Sequence, residues 1–160
     1  MAIEIERRFL VARPDWRQRA AAAKRIAQAY LSVTPEAAIR LRIVNGEAAW
    51  LTIKSGNAGI ARAEFEYPIP AADAEEMMAL RTGIVIEKRR HIVELGGDRW
   101  EVDVFEGELS GLVIAEIELD DAGRDFQRPD WLGREVTDDG RYSNAALATL
   151  GLPAGYKDVV

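Results

Sequence analysis

Charged residues recur two apart, in strand phase, along the whole of this chain. The groups are Glu4/Glu6/Arg8, Arg40/Arg42, Arg62/Glu64/Glu66, Lys88/Arg90, Glu101/Asp103 and Glu116/Glu118, with Lys54 after Ile53 marking a seventh stretch. Side chains two apart in a strand point to the same side of the sheet, so each group is a row on one face. The residues between them are mostly apolar: Ile3 and Ile5, Leu41, Leu51 and Ile53, Phe65, Trp100 and Val102, Ile117. Each strand therefore has a charged face and an apolar one. The charged faces carry eight acids and seven bases, and the neutral β-formers that solvated strand faces usually mix in are scarce there.

Two arrangements satisfy such strands. One is a sheet with its charged face in water. The other is a barrel of about eight strands, wide enough for one small ligand, with the charges inside and the apolar face outward under helices or a second subunit. Charges enclosed in this way must be paired, hydrated or ligated. Seven charged stretches at once favour the barrel. The expected fold is mainly β (α+β): an eight-stranded antiparallel closed barrel with a few flanking helices, one domain over residues 1–160.

Strand-like segments cover residues 2–11, 24–33, 37–45, 48–54, 61–69, 84–94, 98–105 and 112–119. Thr34-Pro35, Asn45-Gly46, Ser55-Gly56-Asn57 and Gly96-Gly97-Asp98 supply short turns, which imply a mainly antiparallel meander. Helical pieces are predicted after Pro14 to about Ala22, after Pro70 to about Arg81 with Gly83 as the stop, and from Tyr142 to Leu150, closed by Gly151 and Pro153.

Composition narrows the function classes. The net charge of −6 disfavours non-specific binding to nucleic acid or to an acidic membrane, so an anionic partner must be caught by local bases. The absence of cysteine excludes disulfides, thiolate metal sites and a cysteine nucleophile, and fits a reducing cytoplasm. No run approaches the ~18 apolar residues of a membrane span. His91, the single histidine, is out of phase with Lys88 and Arg90 and belongs on the outer face. Within the rows, seven bases against eight acids leave a net charge of minus one. Two divalent cations would turn this positive, and a triphosphate carrying roughly four negative charges would then nearly neutralise it. Carboxylate oxygens suit Mg²⁺, and guanidinium forks suit phosphate oxygens.

The opening Glu4-Ile5-Glu6-Arg7-Arg8-Phe9-Leu10 resembles the N-terminal Glu-x-Glu-x-Lys signature of the CYTH superfamily, the triphosphate tunnel metalloenzymes. The family's order continues through Gln28-Ala29-Tyr30-Leu31, Ile39-Arg40-Leu41-Arg42, Leu51-Thr52-Ile53-Lys54, Arg62-Ala63-Glu64-Phe65-Glu66, Ile86-Glu87-Lys88-Arg89-Arg90, Trp100-Glu101-Val102-Asp103, Ala115-Glu116-Ile117-Glu118, Trp131 to Thr137 and Tyr142-Ser143-Asn144. The resemblance is to the compact bacterial branch. It implies an eight-stranded tunnel that hydrolyses inorganic triphosphate with Mg²⁺ or Mn²⁺. It also implies metal binding by Glu4, Glu6, Glu64, Glu66, Glu101, Asp103, Glu116 and Glu118, and phosphate binding by Arg8, Arg40, Arg42, Lys54, Arg62, Lys88 and Arg90. Arg8 stands where the family has lysine. The resemblance further implies a Lys88–Tyr30 pair as the candidate base, with neighbouring Arg90 and Arg42 expected to lower the lysine's pKa.

Thiamine triphosphatase, nucleoside triphosphatase or adenylate cyclase activity on the same fold is the alternative. A non-catalytic barrel that binds polyphosphate or a nucleotide is the alternative of another class. Apolar wall left uncovered by helices favours a homodimer.

Overall fold

A computed structural model of the chain describes residues 2–56 and 61–156. The expected turn at Ser55-Gly56-Asn57 runs into residues outside that set. Of the nine strands among the described residues, eight lie where alternation placed them: β1 (Ala2–Val11), β2 (Lys24–Val33), β3 (Ala37–Val44), β4 (Ala48–Ser55), β5 (Ala61–Ile69), β6 (Thr82–Leu95), β7 (Asp98–Phe105) and β8 (Val113–Glu118). All pairings are antiparallel, in the order β5-β4-β3-β2-β6-β7-β8-β1, and β1 returns to β5 to close the barrel. The path is two meanders, β2 to β5 and β6 to β8, joined through β2–β6 and through β1. The expected mainly antiparallel meander is thus realised in two parts that close on each other.

Strand β1 spans the seam because its edge is shared. Residues Ala2 to Ile5 pair with β5, and Glu6 to Leu10 pair with β8 on the other side. Further along, Phe9 and Val11 pair with a ninth strand, β9 (Leu132–Glu135). A four-residue strand containing Gly133 carries too little alternation to be read from sequence. It is fastened by a two-pronged Arg7–Glu135 ion pair, Nε to Oε2 at 2.8 Å and Nη2 to Oε1 at 2.6 Å.

The outer wall is apolar, and it is covered in two places. Over β1, β6, β7 and β8, buried Phe9, Val93, Trp100, Val102, Ala115 and Ile117 pack under Trp16 and Trp131. Trp16 comes from a 3-10 turn at Pro14–Arg19, which replaces the helix expected after Pro14. His91 lies on this outer side, its ring edge-on to Trp16 at 4.9 Å. Over β3 and β4, Ala74 of α1 (Ala71–Met77) packs on Ile43 and Ala49. Elsewhere the wall is bare: Ile3, Phe65 and Tyr67 are exposed.

The inward face changes character along the barrel. Where the rows continue past the charges, they become Leu10, Ile86, Phe105 and Ile114, and these join one buried apolar cluster with Leu109, Leu112, Tyr142 and Leu147. Leu147 and Ala148 are the buried face of α2 (Asn144–Leu150), which stoppers that end. Ser143 caps the helix by accepting the Ala146 N–H, and Gly151 ends it at a positive φ of 79°. Gly83 lets the stopper sit close: a Cβ there would land on the Ala148 carbonyl. No described helix is long and apolar enough to cross a membrane.

Candidate functional site

Cross-strand register decides which charges meet. Arg90 lies opposite Asp103, Arg8 opposite Glu116, Glu4 opposite Arg62 and Lys54 opposite Glu64. These are complementary pairs. By contrast, Glu6 lies opposite Glu118 and Glu101 opposite Glu116, and like charges directly opposed destabilise a sheet. Along β3, Arg40 lies opposite Tyr30 and Thr52, and Arg42 opposite Gln28 and Trp50. The acids are thus crowded on β1, β7 and β8, and the bases on β3 stand beside neutral residues.

Two neighbouring cavities occupy this charged stretch, one of about 160 Å³ and one of about 80 Å³. Glu4, Glu6, Arg40, Lys54 and Asn144 line both. Arg8, Tyr30 and Arg62 also line the larger, with neutral residues that include Thr52 and Thr137; Arg42, Glu64, Arg90, Glu101, Glu116 and Glu118 complete the smaller. Of the residues expected at the site, Glu66, Lys88 and Asp103 line neither. Glu66 is exposed and accepts from the Thr52 hydroxyl at 3.3 Å.

Asp103 is 1 % exposed, and both its oxygens are occupied. It accepts Nε and Nη2 of Arg90 at 2.8 and 2.9 Å, and Nζ of Lys88 at 2.7 Å. Burial pushes its pKa up, but Arg90 and Lys88 outweigh that and hold it far below the carboxylate range. Arg90 also reaches Glu101 at 3.2 Å.

Lys88 is brought down to about 8, first by burial and then by Arg90 and Arg42, against the pull of Asp103. Both arginines act in the direction expected, but desolvation is the larger cause. The Lys88 side chain has no exposed surface, and Nζ donates to Oδ1 of Asn144 at 3.0 Å as well as to Asp103. Among the described residues no hydrogen bond joins Lys88 to Tyr30.

The remaining cations divide into engaged and free. Lys54 bonds Glu4 at 2.6 Å, and Arg8 bonds Glu116 at 3.2 Å and the Tyr142 carbonyl. Burial works against the Lys54 ammonium, but Glu6 and Glu4 hold its pKa above the ordinary value. Arg40, Arg42 and Arg62 have no carboxylate within ion-pair distance among the described residues. Nε of Arg40 is buried without a partner. Arg42 is lowered to about 9 by burial and by the Arg40 and Arg90 charges.

The acids show the complementary strain. Glu6 is raised to about 8 by burial and the Glu116 charge. Glu64 is raised to about 8 chiefly by sharing a hydrogen bond with Glu4, and by burial. Glu118 is raised by burial and by Glu4 and Glu101. Burial also pushes Glu4 upward, but Glu64 and Lys54 bring it down to about 2. Glu6, Glu64 and Glu118 are thus held above the ordinary carboxylate value by burial and by the carboxylates around them.

Two residues at the site carry no charge and so escaped the row pattern. Gln28 is fully buried; its Oε1 accepts from Arg42 at 3.1 and 3.0 Å, and its Nε2 donates to Asn144 at 2.8 Å. Gln28 lies in phase with Tyr30 and within the stretch Gln28-Ala29-Tyr30-Leu31 that carries the family resemblance, the two sequence signals that could have flagged it. Asn144 follows a helix cap, which hid it.

A CYTH domain family model matches residues 2–146. Among characterised relatives, the inorganic triphosphatase of Acetivibrio thermocellus is 43% identical over 92% of this chain and 94% of its own length. That of Nitrosomonas europaea is 41% identical over 94% of this chain and 99% of its own. A solved structure described as an inorganic triphosphatase superposes with a TM-score of 0.65 at 38% identity, covering 92% of this chain and 95% of that one. A protein from Hippeastrum, described as a putative adenylyl cyclase with a dominant triphosphatase activity, has the same fold at 16% identity and a TM-score of 0.57, covering 74% of this chain and 80% of that one. With its closed eight-stranded barrel and its ordered charged rows, this chain belongs to the CYTH domain family.

Proposed function

We propose that the chain hydrolyses inorganic triphosphate to diphosphate and phosphate, with Mg²⁺ or Mn²⁺ as the cation. The observation that carries this reading is the split interior. Among the described residues Arg40 and Arg42 have no carboxylate partner on one side of the interior, and Glu6, Glu64 and Glu118, whose pKa values are raised by burial and by neighbouring carboxylates, crowd the other. Guanidinium groups whose charge no carboxylate balances call for a polyanion, and crowded carboxylates call for a cation. The relatives described as inorganic triphosphatases support the same substrate.

The donor set suits a hard divalent ion. Among the described residues no three acids already converge as a finished ligand cluster, but Mg²⁺ keeps several waters and takes only one or two carboxylates. Glu4, Glu6, Glu64, Glu116 and Glu118 would hold it. When bound, it supplies positive charge and a polarised water. Asp103 has no free oxygen to offer, so its role is to fix Lys88 and Arg90. Glu66 and Glu101 stand at the edge of the set, Glu66 toward solvent and Glu101 on Arg90.

The protein's own groups do the rest by alignment and charge. Arg40 and Arg42 take non-bridging oxygens as two-pronged donors, and Lys54, Arg62 and Arg8 add charge at the larger cavity. As the terminal phosphoryl group departs, negative charge accumulates on the diphosphate, which these cations stabilise. Phosphoryl transfer of this kind needs no side-chain nucleophile. Lys88 contributes a charge behind the cavity wall, and Tyr30 shapes the cavity beside the apolar stopper.

Phosphate release from inorganic triphosphate, ATP and thiamine triphosphate, each with Mg²⁺ or Mn²⁺, tests the proposal. Inorganic triphosphate is expected to give the highest kcat/KM. A higher value with either organic substrate would move the assignment to that substrate. Binding without turnover of any of the three would establish a receptor.

A further inference from the structure

The carboxamide of Asn144 has only one orientation open to it. Arg42 and Lys88 carry donors and no acceptor. Arg42 donates twice to Oε1 of Gln28, which leaves Gln28 its Nε2 group to give away. That group donates to Oδ1 of Asn144 at 2.8 Å, and Nζ of Lys88 donates to the same oxygen at 3.0 Å. Turning the Asn144 amide over would set its NH₂ against two donors, so the partners at both ends fix its direction. Oδ1 is fully used. Among the described residues Nδ2 makes no hydrogen bond, and Asn144 lines both cavities.

Resting on the triphosphatase reading above, we infer that Asn144 is a further substrate-binding residue, whose NH₂ group donates to a phosphate oxygen of the bound chain. The arrangement also accounts for the place of Lys88. A buried ammonium at Oδ1 polarises the amide and strengthens its N–H as a donor toward the cavity. Asn144 thereby presents to the substrate part of a charge that has no opening of its own.

Asn144→Asp separates this role from that of a clamp. Aspartate has the same shape and accepts from Lys88 and Gln28 as before, but it turns an anionic oxygen toward the phosphates. Its kcat/KM for inorganic triphosphate is expected to fall about 100-fold, mainly through KM, because a charge-assisted hydrogen bond is replaced by repulsion. Its melting temperature should not fall below that of the wild type. Asn144→Ala, which lacks both groups, should lose about 10-fold in kcat/KM together with some thermal stability. Wild-type kcat/KM in Asn144→Asp would overturn the inference and leave Asn144 as a clamp alone. Failure of the wild type to turn over triphosphate would instead refute the triphosphatase reading. In that case, calorimetric binding of inorganic triphosphate to the same proteins decides: weaker binding by Asn144→Asp supports the inference, and equal binding overturns it.

Discussion

Asp103 illustrates how much a single side chain at this site must balance. It is one fully buried carboxylate set between two cations, and removing one member of a buried ion pair is far more costly than the pair is stabilising. Asp103→Asn keeps the shape but leaves Lys88 and Arg90 without their counter-charge. It is expected to lower the unfolding free energy by about 3–5 kcal/mol at neutral pH, measured by urea denaturation. Adding Lys88→Met should recover part of the loss, and a cost below about 1 kcal/mol would show that the clamp is not needed. The charged residues of the site were legible from their spacing because charge repeated at period two, with hydrophobes between, is the mark of a two-faced strand. Their division of labour was not. Whether Asp103 faces a metal or a lysine depends on register, which sets Arg90 opposite it, and Gln28 and Asn144 carry no charge to mark them.

At the level of elements, alternation located the eight barrel strands closely, because each exposes opposite chemistry on its two faces. It also said correctly that the apolar face points outward. It did not reveal that the inward face turns apolar at Leu10, Ile86, Phe105 and Ile114, since each of these is one ordinary hydrophobe until the strands are aligned. Only then do they form a socket for α2. An isolated seven-residue helix is not stable in water, so packing in that socket must hold it. Leu147, fully buried in the cluster, is the test: Leu147→Ala should cost about 2–5 kcal/mol. Activity should fall with it, because the same helix carries Asn144. A neutral substitution would mean that α2 is not a stopper but a loosely held lid.

Taken as a whole, the molecule encloses acids that hold protons when no cation is present. Glu6 and Glu64 have pKa values of about 8 in the fold against an ordinary 4.5. The folded state therefore binds more protons than the unfolded chain between about pH 4.5 and 8, and stability falls as pH rises through that window. Glu4, held at about 2, acts only below it. His91, lowered by burial, opposes the trend near pH 6.5. The metal-free protein should accordingly melt at a lower temperature at pH 8 than at pH 5.5, and added Mg²⁺ should raise the melting temperature more at pH 8, where the ion no longer competes with protons. A melting temperature that climbs steadily from pH 5.5 to 8 without metal would contradict the crowding of these carboxylates.

The central claim is that one enclosed interior holds a cation on its acidic wall and a triphosphate on its basic wall. Diffraction from crystals soaked with Mn²⁺ and inorganic triphosphate, or a slowly hydrolysed analogue, tests it most directly. An anomalous manganese peak is expected among Glu4, Glu6, Glu64, Glu116 and Glu118, with phosphate density against Arg40 and Arg42. Manganese or phosphate found only on the outer wall, with the interior still holding its ion pairs and water, would contradict it.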